Sequence, residues 1–108
     1  YKEIIMIDYL KVATTDEIPV GAKKIVEVDY DMVAIFNVDG EFLAVEDICS
    51  HDGGTLADGE VQGDEIICPR HGARFCLRTG KALCMPAYEP IESYTVKSEN
   101  GDIYVGVE

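Results

Sequence analysis

Both histidines of this 108-residue chain stand beside a cysteine, and that pairing constrains the fold more than any other feature. The first pair is Cys49-Ser50-His51 and the second is Cys68-Pro69-Arg70-His71, with sixteen residues between His51 and Cys68. Each pair sets a thiol and an imidazole on one tight loop. A fold that brings the two loops together can grip one metal centre from two sides. A lone cysteine or histidine is most simply a core residue. Two mixed pairs that use every histidine in the chain are hard to read that way.

The rest of the chain points to strands. Its apolar runs are short and broken by Gly, Pro and Asp. Met32–Val38 and Glu41–Val45 flank Asp39-Gly40, which tolerates the positive φ of a tight hairpin. Ile91–Lys97 and Ile103–Val107 flank Glu99-Asn100-Gly101-Asp102 and read as a second hairpin. Its last strand alternates, with Ile103, Val105 and Val107 on one face. Lys24–Val28 and Asp64–Ile67 are further strands. Thr14-Thr15-Asp16-Glu17 caps at most one helical turn before Pro19. Residues 46–63 and 68–82, rich in Gly and charge, read as loops, and two long loops in so small a domain mark a site. No internal repeat is expected.

Length predicts a single domain, 1–108. The longest apolar run, Met32–Phe36, has five residues, against about twenty for a membrane helix. No signal segment is expected, and because the chain opens at Tyr1 its natural start is expected upstream. Nine Lys and Arg against 21 Asp and Glu give a net charge of −12. Such a chain repels phosphate backbones and anionic lipid, which argues against nucleic-acid and membrane-surface roles and favours a basic protein partner. The charge is uneven: Ile25–Glu65 holds twelve acids and no Lys or Arg, whereas Ile66–Tyr88 holds Arg70, Arg74, Arg78 and Lys81 and no acid. A solvated acidic face and a docking surface near the loops both fit this pattern.

Two metal centres suit a set of two thiolates and two imidazoles. One is a single tetrahedral zinc. The other is a [2Fe–2S] cluster with two Cys on one iron and two His on the other. Zinc fingers keep their cysteines together and their histidines together. Here each loop supplies one of each, so one iron can take Cys49 and Cys68 while the other takes His51 and His71.

Cys49-Ser50-His51-Asp52-Gly53-Gly54 and Cys68-Pro69-Arg70-His71-Gly72-Ala73 resemble the two cluster-binding loops of Rieske proteins. The resemblance runs from about Lys11 to the C-terminus and takes in Val38-Asp39-Gly40-Glu41-Phe42 and Thr79-Gly80-Lys81. It is strongest to the soluble ferredoxins that serve bacterial ring-hydroxylating dioxygenases of aromatic hydrocarbon catabolism. It implies an all-β Rieske fold, an antiparallel β-sandwich or barrel. The basal lobe would be about 11–45 and 87–108, and the cluster-binding lobe about 46–86. It implies a [2Fe–2S] cluster on Cys49, His51, Cys68 and His71, with both histidines exposed as the electron exit. Met85-Pro86-Ala87 would cover the cluster. Residues 1–10 fall outside the resemblance, as an extra edge strand or an appended remnant.

The implied role is a cytoplasmic, monomeric carrier. It would take single electrons from a flavin-dependent, NAD(P)H-linked ferredoxin reductase and pass them to a terminal oxygenase. High-potential relatives bridge their loops with a disulfide at the positions of Gly54 and Arg70, which cannot form here. Those relatives also place a Ser and a Tyr hydroxyl on the cluster and ligand sulfurs at the positions of Ala73 and Phe75. Losing these donors destabilises the more negative reduced state. A potential near the low end of the Rieske range, roughly −150 mV, is expected.

Cys76 and Cys84 are expected as buried free thiols, a disulfide being disfavoured in the cytosol. No nucleophile, base and orienter come together, since both histidines go to iron, so no independent enzymatic activity is expected. Asp52, Asp58 and Glu60 are candidates to steer a basic partner, and Arg70 to meet an acidic one. The alternatives are the small subunit of an assimilatory nitrite reductase, a zinc-binding interaction domain and a fragment of an oxygenase subunit.

Overall fold

Strands β3 (Asp31–Val38) and β4 (Glu41–Glu46) form the hairpin expected at Asp39-Gly40, and both are buried on two faces. On β3, Val33 and Ile35 enter one core while Ala34 and Phe36 enter another. On β4, Ala44 joins the first core and Leu43 and Val45 the second. Successive residues of a strand point to opposite faces. An unbroken apolar run such as Met32–Phe36 is therefore what a strand covered on both sides requires. In this computed structural model, which describes residues 8–107, that hairpin is the middle layer.

Its sheet is completed by β2 (Lys23–Val28) beside β3 and by β9 (Ser93–Tyr94) beside β4, all antiparallel. The first core is closed by a three-stranded sheet in which β11 (Asp102–Val107) lies between β1 (Asp8–Thr14) and β10 (Val96–Glu99). Ile103 and Val105 of β11 are fully buried, as the alternation predicts, whereas the Val107 side chain lies outside the described residues. A 3-10 turn, Thr15–Glu17, follows β1 and ends before Pro19. The edge strand expected within residues 1–10 begins at Asp8 and pairs with β11, and residues 1–7 lie outside the described residues.

The second core lies on the opposite face of the middle sheet, beneath a third sheet of β5 (Glu60–Gln62), β6 (Glu65–Ile67), β7 (Arg74–Cys76) and β8 (Ala82–Cys84) in chain order. All four of its strands fall between residues 46 and 86. Phe36, Val45, Leu56, Ile66, Phe75 and Leu77 pack there around Cys49 and Cys68. The architecture is all-β, as expected, in three antiparallel sheets.

Two readings of the sequence need correction. Residues 46–63 and 68–82 hold strands as well as loops, because β5 and β7 lie within them and β8 begins at residue 82. Three residues are too few to show an alternation, and every residue of β5 is exposed. Ile91–Lys97 is not one strand either. Ser93–Tyr94 pairs with β4 and Val96–Glu99 with β11, so the chain changes sheets at Thr95. A switch of partner leaves the apolar pattern intact and is invisible in it. Among the described residues no helix is long and apolar enough to cross a membrane.

Candidate metal centre

The two Cys–His loops are the same turn built twice. In the first, the Cys49 N–H donates to the Gly54 carbonyl (2.7 Å) and the Gly53 N–H donates back to the Cys49 carbonyl (2.8 Å). In the second, Cys68 donates to Ala73 (2.7 Å) and Gly72 donates to Cys68 (3.1 Å). Gly53 and Gly72 both lie at positive φ, 74° and 76°, where a side chain is strained. The first loop follows β4, and the second joins β6 to β7.

This shared turn places equivalent atoms side by side. Cys49 and Cys68 are buried, 0% and 2% exposed, while His51 and His71 are exposed. The imidazole rings meet edge to face with centroids 5.2 Å apart. Burial pushes the Cys49 thiol up, backbone N–H groups of His51 and Asp52 act against that rise, and the neighbouring Cys68 adds to it. All four predicted residues therefore converge, thiols inward and imidazoles outward. Two soft sulfur donors on the inner side and two imidazoles on the outer side match the needs of a [2Fe–2S] cluster with mixed ligation. Ala73 and Phe75, both fully buried, share the core with the two cysteines and offer no side-chain donor.

A third copy of the turn was not expected. Cys76 donates to Lys81 (2.9 Å), Gly80 donates to Cys76 (2.8 Å), and Gly80 sits at φ 79°. The signal is present in the sequence as Cys-x-x-x-Gly at 49–53, 68–72 and 76–80. The third copy has no histidine. The expectation of two buried thiols also fails. Cys76 is half-buried, Cys84 is exposed with its thiol on the Gly72 carbonyl (3.7 Å), and neither forms a disulfide. Burial raises the Cys76 thiol, but hydrogen bonds from the Thr79 hydroxyl and from the Arg78 and Thr79 N–H groups together bring it below its ordinary value.

The supports of the site come from residues with no local signature. Asp47 is buried and takes the N–H groups of Leu56 and Ala57 on one carboxylate oxygen, each at 2.8 Å. The Ser50 hydroxyl donates to the Glu89 carbonyl (2.6 Å). With His51, Pro86 and Tyr88 these two residues line a cavity of about 110 Å³ beside the first loop. Pro86 thus lies next to His51, where the covering segment was expected. Asp52 and Arg70, expected to face partners, are paired with each other (Nε–Oδ2 2.5 Å, Nη2–Oδ1 3.0 Å). That pairing holds the Asp52 carboxyl well below the usual range.

Comparison with known proteins agrees with this geometry. The family model described as the Rieske [2Fe-2S] domain matches residues 8–95. A 3-phenylpropionate/cinnamic acid dioxygenase ferredoxin subunit from Photorhabdus laumondii is 46% identical over 99 residues, covering 91% of this chain and 93% of the relative. The ferredoxin of carbazole 1,9a-dioxygenase from Nocardioides aromaticivorans IC177 superposes with a TM-score of 0.84 at 31% identity, covering 90% of this chain and 95% of its own. A chain in a complex of reduced oxygenase and oxidized ferredoxin in carbazole 1,9a-dioxygenase gives 0.82 at 33% identity, covering 90% and 91%.

Proposed function

From the premise that the chain belongs to the Rieske [2Fe–2S] ferredoxins of aromatic dioxygenase systems, we propose an assignment of its parts. The protein is the electron-carrying ferredoxin component that delivers electrons to a terminal oxygenase and performs no substrate chemistry itself. Cys49 and Cys68 hold the inner iron, and His51 and His71 hold the outer one. When bound, the cluster supplies a centre that accepts and returns one electron at a time.

The observation that carries the assignment is the pair of exposed imidazoles, 5.2 Å apart, above two buried cysteines. Their outer edges are where a partner can approach without crossing protein. Tyr88 and Met85 stand exposed at this end, 78% and 73%, with Tyr88 lining the cavity beside His51. They form an apolar rim that a partner surface can dehydrate on docking. Asp58 and Glu60, also exposed, steer a basic partner toward it. Electrons arrive from a flavin-dependent reductase. The absence of side-chain donors at Ala73 and Phe75 supports a potential near the low end of the Rieske range. The 46% identity to a phenylpropionate system supports an oxygenase acting on a phenyl-substituted carboxylic acid. The carrier works as a cytoplasmic monomer.

Reconstitution tests this reading. The anaerobically purified protein is combined with NADH, the reductase and the oxygenase of a 3-phenylpropionate dioxygenase. Product is expected to form only when this chain is present. A sample that is iron-free after faithful cofactor assembly, or whose reduced form no oxygenase reoxidises, would overturn it.

A further inference from the structure

We propose that Arg70 is a positioning residue that locks the two cluster loops together, its guanidinium clasping Asp52 across the bare backbone of Gly54. This rests on the ligand assignment above. Arg70 belongs to the second loop, and everything its side chain grips belongs to the first. Nε and Nη2 donate to the two oxygens of Asp52, and Nη1 donates to the Thr55 carbonyl (2.9 Å). Three donors are thus spent on one loop, in the forked geometry that only Arg provides.

Gly54 completes the device. Its φ is not positive, so backbone conformation does not demand glycine there. Space does. A Cβ at 54 would lie 2.4 Å from the Arg70 Cζ and 2.6 Å from Nη2. Asp52, Gly54 and Arg70 are therefore fixed by one another. The Arg70 guanidinium thus lies over position 54, and the ion pair that joins the two loops is the one between Arg70 and Asp52.

The clamp is also neutral as a unit. Asp52 lies within 3.6 Å of the His71 ring at Nδ1 and follows His51 directly. An unpaired carboxylate so close would oppose addition of an electron. Arg70 cancels that charge, so the clamp holds the loops without lowering the potential.

The holoprotein and its variants are exposed to an iron chelator, with cluster loss followed by absorbance and EPR and the potential measured by voltammetry. Arg70→Gln is expected to release iron roughly 10-fold faster or more, taking the scale on which lost supports around a metal site weaken metal affinity, and to lower the potential. Arg70→Lys keeps the charge without the fork: fast release, potential unmoved. Gly54→Ala keeps every charge and displaces the guanidinium, so it too releases iron fast. Asp52→Asn/Arg70→Gln restores the potential without restoring retention. Wild-type release from both Arg70→Lys and Gly54→Ala, or an unmoved potential in Arg70→Gln, would overturn the clamp. Each variant is scored after it has assembled a cluster, so a failed clamp is distinguishable from a failed ligand assignment, which Cys49→Ser reports directly.

Discussion

The Asp47 carboxylate receives the Leu56 backbone N–H at 2.8 Å and, on the same oxygen, that of Ala57, closing the first cluster loop from behind. Asp47 precedes the loop and Leu56 follows it, so one buried side chain fixes both ends. Asp47→Ala strands two buried donors, at about 1–3 kcal/mol each. Asp47→Asn keeps an acceptor oxygen and loses less. Urea unfolding of the two variants checks this. Equal stability of Asp47→Ala and wild type would show that the loop is anchored elsewhere.

The four cysteines sort into two classes by burial. Cys49→Ser and Cys68→Ser are expected to abolish the assembled cluster. Cys76→Ser and Cys84→Ser retain about two irons per chain, as a complete [2Fe–2S] set requires. Iron and sulfide analysis with EPR separates the classes. Loss of iron in Cys76→Ser would mean that the third Cys-x-x-x-Gly turn contributes to the centre.

Ala73 and Phe75 are buried with the cysteines and give no hydroxyl donor. The wild-type potential is expected at roughly −150 mV, and Ala73→Ser and Phe75→Tyr are each expected to raise it by adding a donor toward sulfur. Voltammetry at fixed pH measures both. A wild-type value above about +100 mV, where hydrogen-bonded Rieske centres belong, contradicts the donor account.

Glu17 carries a pH signature remote from the cluster. The Lys24 ammonium, followed by the Thr14 N–H and hydroxyl, holds its carboxyl down to about 2, from an ordinary value of 4.5. A depressed carboxyl stabilises the fold above its unfolded value and loses that contribution as pH falls through its folded value. Wild type is therefore expected to melt above Glu17→Gln at neutral pH. The gap should narrow from about pH 4.5 downward and close near pH 2. A melting series over that window, showing a constant gap, would exclude the linkage.

Docking at the histidine end combines apolar contact with charge. Tyr88→Ala is expected to weaken electron delivery to the oxygenase at all salt concentrations. Asp58→Asn/Glu60→Gln is expected to slow it mainly at low salt, since exposed charges are screened over about 10 Å at 0.1 M. Stopped-flow reoxidation across an ionic-strength series reads both. Rates for wild type that ignore salt would remove the steering role.

Much of the site was legible because it is local. Cys49-x-His51 and Cys68-x-x-His71 are short covalent spacings, and each loop carries its own thiol, imidazole and turn glycine. The Asp39-Gly40 and Asn100-Gly101 hairpins were readable for the same reason, since a turn of two residues fixes its own register. The three-residue strands were not, because they are held by neighbours and show no pattern of their own.

By itself, then, the sequence determined that each of two short loops carries a thiol beside an imidazole, and that the chain turns back on itself at Asp39-Gly40 and at Asn100-Gly101. Only the tertiary structure decided that Arg70 meets Asp52 and that Asp47 ties down Leu56. It also decided that the strand after Ile91 is shared between two sheets and that Cys84 faces solvent. Local patterns follow from bonds along the chain. Those other relationships depend on which loop or sheet packs beside which, a matter settled when the layers close on two separate cores.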